Sequence, residues 1–222
     1  MLVAVVIPNR GDRPQFMENC LRMMEYQTRK ADFVIEVSYP AKFGNIPDIS
    51  ARYKKGIATA IGFSADVILL IENDDYYAPN YIETMLREWQ AHGKPDLFGI
   101  GESCYYHLGL KKCFFMEHTA RACAMNTLIK ANAEIVYPID SDPYFDLYLW
   151  LHIANRHLIK TTIKTPDKIS LGIKHGVWLT GGEHHTTRME RYNFDDSDYK
   201  FLRSIINEND IFNFYTNVLK NE

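Results

Sequence analysis

Three short apolar runs, each followed by an amphipathic helical pattern, dominate the first ninety residues of the chain. The runs span 2–7, 33–37 and 67–71. The first is continuous in the way that is typical of a strand covered on both faces, the second contains Glu36, and the third is apolar throughout, as in a buried strand. The helical patterns begin near residue 12, at residue 48 or 50, and at Pro79. Three such βα units predict an α/β protein with a mostly parallel, open sheet that is flanked by helices.

The second half of the chain has a less regular pattern. Its predicted elements are strands near 97–101, 103–108 and 112–117, helices near 125–133 and 143–157, loop and strand material over 161–191, and terminal helices over 197–207 and 209–219. There is no internal repeat and no linker rich in Gly, Ser or Pro. We therefore expect a single domain over 1–222, in which 1–100 and 101–191 form two halves and 192–222 add C-terminal helices.

Composition narrows the class of protein only a little. Apolar content of 46%, charged content of 24% and a net charge of −3 exclude a disordered chain or a fibre and do not favour non-specific nucleic-acid binding. The four cysteines form no CxxC pair, which predicts reduced thiols. No stretch approaches eighteen apolar residues, and the first residues are typical of a strand rather than of a signal peptide. These features predict a cytoplasmic protein without a membrane span.

An acidic cluster follows the third apolar run, in the order Glu72, Asn73, Asp74, Asp75. Ligands of open α/β sheets bind beyond the carboxyl ends of the strands, where this cluster lies. Three acids in four residues repel one another unless a cation or another partner neutralises them. Such oxygen ligands suit Mg²⁺ or Mn²⁺, although an acidic turn that caps the following helix would have the same composition.

Two segments of the chain resemble the GT-A glycosyltransferases, in particular the large family-2-like group: VAVVIPNRGDRPQFMENCLRMMEYQT and ILLIENDDYYAPNYIETML. The resemblance covers residues 2–90 and becomes weaker toward the C-terminus. It implies a GT-A fold and transfer of a sugar from a nucleotide-sugar, most often a UDP-sugar, to a hydroxyl acceptor. It further implies inversion at the sugar carbon and a bound Mn²⁺ or Mg²⁺.

The same resemblance assigns roles to residues of the first half. Asp74 would ligate the metal, and Glu72 would hold the ribose or base side of the nucleotide. The second predicted strand lacks the acids that usually recognise the base, so that either Glu36 substitutes for them or Tyr39 stacks on the base. The residues implied near the nucleotide are Pro8, Asn9, Arg10, Arg13, Tyr39, Arg52, Glu72 and Asn73.

Two more roles fall in the second half. Inverting members use an acid as the general base on the acceptor hydroxyl, and Asp146 is the first candidate here, with Asp142 as the alternative. Asp142 precedes Pro143, where it would equally serve as a helix cap. A histidine often completes the metal site near the segment KISLGIKHGVWLTGGEHHTTR, and the candidates are His175 and His185.

The acceptor and two rival functions stay open at this point. A glycan or lipid-linked sugar is the commonest acceptor, and a hydroxymethylated base in DNA is the alternative. Residues 150–191 carry seven Lys or Arg against three acids, with Trp150, Trp178 and Tyr192 nearby, as a backbone-tracking surface would. A nucleotidyltransferase is disfavoured by the single glycine of NRGDRPQ. An inactive binding scaffold is suggested by Glu72, which stands where the motif usually has Asp.

Overall fold

The computed structural model describes residues 1–38, 46–165, 168–176 and 190–220. Its strands are β1 (Val3–Pro8), β2 (Phe33–Val37), β3 (Val67–Leu70), β4 (Tyr76–Tyr77), β5 (Leu97–Ile100), β6 (Glu102–His107), β7 (Lys112–Glu117), β8 (Thr127–Lys130), β9 (Lys160–Ile163), β10 (Ser170–Lys174) and β11 (Phe194–Asp195). Its α-helices are α1 (Pro14–Tyr26), α2 (Ile49–Gly62), α3 (Tyr81–Ala91), α4 (Phe145–Leu151), α5 (Lys200–Ile205) and α6 (Asn209–Asn217).

The main sheet has six strands in the order β2-β1-β3-β8-β5-β9. Three of its five pairings are parallel, and β8 runs antiparallel to both of its neighbours. Alternate side chains of β1 enter two separate hydrophobic clusters: Val3, Val5 and Ile7 join one, and Ala4 and Val6 the other. Because helices cover both faces, the strand is apolar at every position. The predicted α/β sheet is confirmed.

The helix predicted near 125–133 is wrong. A short 3-10 helix, Ala124–Asn126, leads there into strand β8. Leu128 and Ile129 lie on opposite faces of the sheet and enter different core clusters. Consecutive apolar residues are typical of a strand that is covered on both faces. The segment forms a strand because tertiary packing outweighs its local helical pattern.

The helix predicted from Pro143 to about 157 is shorter at both ends. It spans Phe145–Leu151 and is followed by a 3-10 helix, Ile153–Asn155. The Asn155 side chain is fully buried and bonds both backbone groups of Val136. These bonds fix the chain after α4 in a turn, which an uninterrupted helix would not allow.

A second sheet of five strands, in the order β11-β7-β6-β10-β4, positions the candidate site. The antiparallel pairing of β4 with β10 sets Tyr76 against Leu171. Residues that precede β4 therefore lie beside those that follow the start of β10. The acidic cluster after β3 and the residues at the end of β10 meet in this way, although they are about a hundred positions apart in sequence.

None of the helices in the described ranges is both long enough and apolar enough to cross a membrane.

Candidate functional site

A triangle of charged and polar side chains lies at the carboxyl ends of β1, β3 and β10. Arg13 Nη1 donates to Asp74 Oδ2 at 2.6 Å and lies 2.9 Å from His175 Nε2. His175 Nε2 is itself 3.2 Å from Asp74 Oδ2, and Arg13 Nη2 donates to Asn73 Oδ1 at 3.3 Å. Burial alone would raise the pKa of Asp74, but Arg13 and His175 hold it well below its ordinary value. The structure thus brings together Asn73, Asp74, Arg13 and His175, four of the residues named from the sequence, and their roles toward a metal or a nucleotide stay predictions.

The turn after β1 is what delivers Arg13 to this place. Pro8 ends the strand, and Asn9 then closes a side-chain turn in which the Gly11 amide donates to its Oδ1 at 2.8 Å. Gly11 has φ of +75°, a conformation that favours glycine. Asn9 Nδ2 also donates to Glu36 Oε1 at 2.6 Å, which ties the turn to β2. Arg13 follows as the residue that immediately precedes α1.

Neighbouring elements hold the triangle in place. The His175 ring packs on Phe16 of α1 with 4.5 Å between ring centroids, and its side chain is fully buried. The Tyr215 hydroxyl of α6 donates to the Asp74 carbonyl oxygen at 3.3 Å. The Ile173 amide donates to Asp75 Oδ1 at 2.7 Å. The second sheet and the C-terminal helices therefore support the turn that carries the acids.

The other two acids of the cluster, Glu72 and Asp75, interact electrostatically with Lys174. Burial raises the pKa of Glu72, and burial together with the Glu72 and Asp74 charges raises the pKa of Asp75 well above its ordinary value. The three carboxylates in turn raise the pKa of Lys174 against the effect of its burial. The Lys174 Nζ lies 5.4 Å from the centroid of the Tyr105 ring. Two cations of the chain, Arg13 and Lys174, thus offset the repulsion within the cluster.

A divalent ion is implied by the resemblance, and the described residues do not fit one as they stand. They contain no group of three His, Cys, Asp or Glu side chains suited to a metal ion. The Asp74 oxygen that faces His175 already accepts a hydrogen bond from the Arg13 guanidinium. His185 lies outside the described residues, as does Tyr39. The roles of Asp74, His175 and His185 as ligands of Mn²⁺ or Mg²⁺ stay predictions.

Arg52 and Arg10 meet at a second carboxylate, that of Asp48 at the start of α2. Arg52 is fully buried, and it donates to Asp48 Oδ2 at 2.9 Å and to the Val37 carbonyl oxygen at 3.0 Å. Arg10 Nε lies 3.7 Å from the same Asp48 oxygen. This arrangement makes Arg52 a support for the end of β2, while Arg10 stays partly exposed at the edge of the site. A direct contact of Arg52 with a nucleotide stays a prediction.

Asp146 lies in the first turn of α4. Its Oδ2 accepts a hydrogen bond from Arg121 Nη1 at 3.1 Å. Burial raises the pKa of Asp146, and Arg121 acts against that rise. The Asp146 charge is close enough to Glu72 to contribute to the raised pKa of that residue. The structure therefore joins Asp146 electrostatically to the acidic cluster.

Asp142, the alternative base, has a local structural contact. Its Oδ1 accepts a hydrogen bond from the Tyr144 amide at 2.8 Å, and its carbonyl oxygen accepts one from Ser50 Oγ at 2.5 Å. The first contact closes a turn ahead of α4. The predicted role of Asp142 as a helix cap is wrong, because α4 begins two residues later than expected and its N-cap residue is Tyr144.

The aromatic residues suggested for DNA binding are not available for stacking where the structure describes them. Trp150 is buried, and its Nε1 donates to Thr127 Oγ1 at 3.0 Å. Tyr192 is also buried, and it packs edge-on against His107. Trp178 lies outside the described residues. An exposed track formed by Trp150 and Tyr192 is therefore wrong, because both rings belong to the packed interior.

Two residues of the site were not identified from the sequence. Arg121 lies in a segment without regular structure, and no motif or periodicity marks it. Lys174 was counted only in the basic stretch 150–191. Its placement against the acids depends on the pairing of β4 with β10, which links distant parts of the chain.

Comparison with known proteins supports the fold. A scan of protein-family models and a search of curated proteins found no match to the sequence. S. aureus TarS 1-349 superposes with a TM-score of 0.53 at 10% identity, over 78% of this chain and 60% of that one. A longer TarS structure gives 0.51 at 9% identity, over 78% and 37%. A197 from STIV gives 0.47 at 11% identity, over 74% and 82%.

The present chain thus spans 60% and 37% of the two TarS chains, less than two thirds of either. At this level of identity the likeness shows the fold alone. That fold is GT-A-like, which confirms the fold that the resemblance in the sequence implied.

Proposed function

We propose that the protein is a glycosyltransferase that moves a sugar from a UDP-sugar to the hydroxyl group of a glycan or lipid-linked acceptor, with inversion at the sugar carbon. The GT-A-like fold supports this proposal, and TarS, which shares the fold, has been solved in complex with UDP-GlcNAc. The described cysteines are all free and buried, in keeping with the reducing, cytoplasmic setting predicted from the sequence.

Positively charged side chains and a partly buried carboxylate near the acidic cluster support this proposal. Arg13 and Lys174 bring positive charge to the carboxyl ends of the strands, where α/β folds bind ligands. Asp146 brings a partly buried carboxylate that Arg121 orients. A transferase needs both, since a diphosphate leaves on one side of the sugar and a hydroxyl attacks on the other.

The proposed reaction divides these tasks between the residues. Asp146 accepts the proton of the acceptor hydroxyl as that oxygen forms its bond to the anomeric carbon. The bond from the anomeric carbon to the phosphate oxygen breaks, and the electron pair leaves with UDP. Positive charge near Arg13 and Lys174 stabilises the departing diphosphate.

Thermal unfolding in a panel of nucleotides tests the donor site. The full chain would be melted with UDP, UDP-sugars, UMP and the diphosphates of the other bases, each in EDTA and in Mn²⁺. A ligand at a hundred times its Kd adds about 2.7 kcal/mol, which raises the melting temperature by about 5 to 10 °C for a chain of this size. We expect UDP and a UDP-sugar to give this shift, with UMP giving less. An absence of any shift with every nucleotide would contradict the proposed function.

A further inference from the structure

Arg13 lies on Asp74 and His175 where a GT-A site would place a metal ion. We propose that its guanidinium takes the place of that ion: held by Asp74, His175 and Asn73, it binds the diphosphate of a nucleoside diphosphate donor directly, so that donor binding needs no divalent cation. This inference rests on the proposed function, because it assumes that the donor carries a diphosphate.

The charges of the cluster support this assignment. The sequence predicted a metal because three acids at the end of a buried strand need a neutralising partner. The chain itself supplies two positive partners: Arg13 Nη1 lies 2.6 Å from Asp74 Oδ2, and Lys174 is close enough for the three carboxylates to raise its pKa. The electrostatic reason for a bound metal ion is therefore met by side chains.

The geometry leaves the guanidinium able to bind a further anion. Its contacts with Asp74, His175 and Asn73 use three N–H groups of the five that arginine carries. The two that remain are on Nε and Nη2; within the described ranges Arg13 Nε is buried and makes no hydrogen bond, and Asp12 Oδ1 lies 3.9 Å from it. The planar fork of an arginine matches two phosphate oxygens at once. The spare donors are thus of the kind that a diphosphate uses.

The surroundings fix the guanidinium in this position. Its carbon lies 5.9 Å from the centroid of Phe16, and the same ring packs against His175. The Arg13 side chain is one tenth exposed, so that its charge acts in a setting where water screens little. A preorganised cation in such a setting stabilises a leaving group without the rearrangement that a mobile side chain needs.

Calorimetric titration with UDP tests the inference on the full chain, in EDTA and again in Mn²⁺. The variants are Arg13→Ala, Arg13→Lys and, as a matched control, Arg22→Ala, which removes a more exposed arginine of α1 that contacts Glu18 and Asp210. We expect the wild type and the control to bind UDP with the same Kd in both solutions. Arg13→Ala should bind about ten- to a hundredfold more weakly in EDTA, because charge-assisted hydrogen bonds are lost. Arg13→Lys should fall between them, since it keeps the charge and loses the fork.

The outcomes separate the inference from the function on which it rests. Wild-type binding that appears only with Mn²⁺ would overturn the inference and leave the glycosyltransferase proposal in place. So would unchanged binding by Arg13→Ala in EDTA. Binding of no nucleoside diphosphate in either solution would overturn the proposed function itself. Circular dichroism confirms folding of each variant, and the wild-type comparison of EDTA with Mn²⁺ decides the matter even where Arg13→Ala does not fold.

Discussion

Asp146 and Asp142 are the two candidates for the general base of the proposed reaction, and they differ in their contacts. Asp146 is partly buried beside Arg121 and the acidic cluster, whereas Asp142 closes a turn ahead of α4. A base must reach the acceptor and hold a proton in the transition state. The contacts of Asp146 suit this task, and those of Asp142 suit a structural turn.

We expect Asp146→Asn to lower the turnover of UDP-sugar by about a hundred- to ten thousandfold, since general-base catalysis contributes that much. UDP binding, measured by calorimetry, should stay close to that of the wild type. Asp142→Ala should keep its turnover and lose about 1 kcal/mol of unfolding free energy, because one hydrogen bond of the turn is lost. Equal turnover of Asp146→Asn and wild type would rule out Asp146 as the base.

A pH profile provides a second test at the same residue. Burial raises the pKa of Asp146, and Arg121 lowers it. Because the base must be ionised, activity should fall as the pH drops through this pKa, above the ordinary aspartate value of about 3.9. Arg121→Ala removes the influence that lowers the pKa, so that the acid limb of kcat/KM should move to higher pH. Arg121→Lys keeps the charge and should move it less. An acid limb that stays in place in Arg121→Ala would contradict the pairing.

At the scale of elements, the close approach of α2 to β1 depends on one glycine. A methyl group added at Gly56 would overlap Val6 Cγ1 and lie 3.0 Å from Val37 Cγ2. Val6 is fully buried on β1, and its branched side chain has few alternative rotamers in a close-packed interior. This contact places Asp48 and Arg52, which belong to the same helix end, against the end of β2.

We expect Gly56→Ala to lower the free energy of unfolding by about 1 to 2 kcal/mol, because overpacking outweighs the gain in helix propensity. Gly62→Ala is the matched control, since a methyl group there meets no atom within 4 Å. It should leave stability unchanged or raise it by up to about 1 kcal/mol. Urea unfolding of both variants gives the comparison. A Gly56→Ala protein as stable as the control would show that α2 does not pack closely on β1.

The elements that the sequence predicted well are those whose local pattern and final burial agree. β1, β2 and β3 lie within a residue or two of their apolar runs, and α1 to α3 follow them as expected. Strand β8 was mistaken for a helix because its burial on two faces depends on β3 and β5, which no local pattern reveals. The site divides in the same way. Asp74 and His175 were predicted from the acidic motif and the family resemblance. The positions of Arg121 and Lys174 near the acids depend on contacts between distant parts of the chain, which the sequence pattern does not reveal.

At the scale of the whole molecule, two sheets cooperate to form one site. The main sheet supplies Arg13 and the acidic cluster, and β10 of the second sheet supplies Lys174 and, just beyond its end, His175. The α6 helix closes the back of the site through Tyr215. We propose that the diphosphate of a nucleotide-sugar binds at the site where the two sheets meet.

A crystal structure of the protein with UDP would show directly where the diphosphate binds. We expect the diphosphate at the carboxyl ends of β1 and β3, with an oxygen about 2.7 to 3.2 Å from the Arg13 guanidinium. The side facing Asp146 should stay open for the sugar and the acceptor. UDP bound elsewhere on the molecule, without contacts to Arg13 or Asp74, would contradict the proposed diphosphate site.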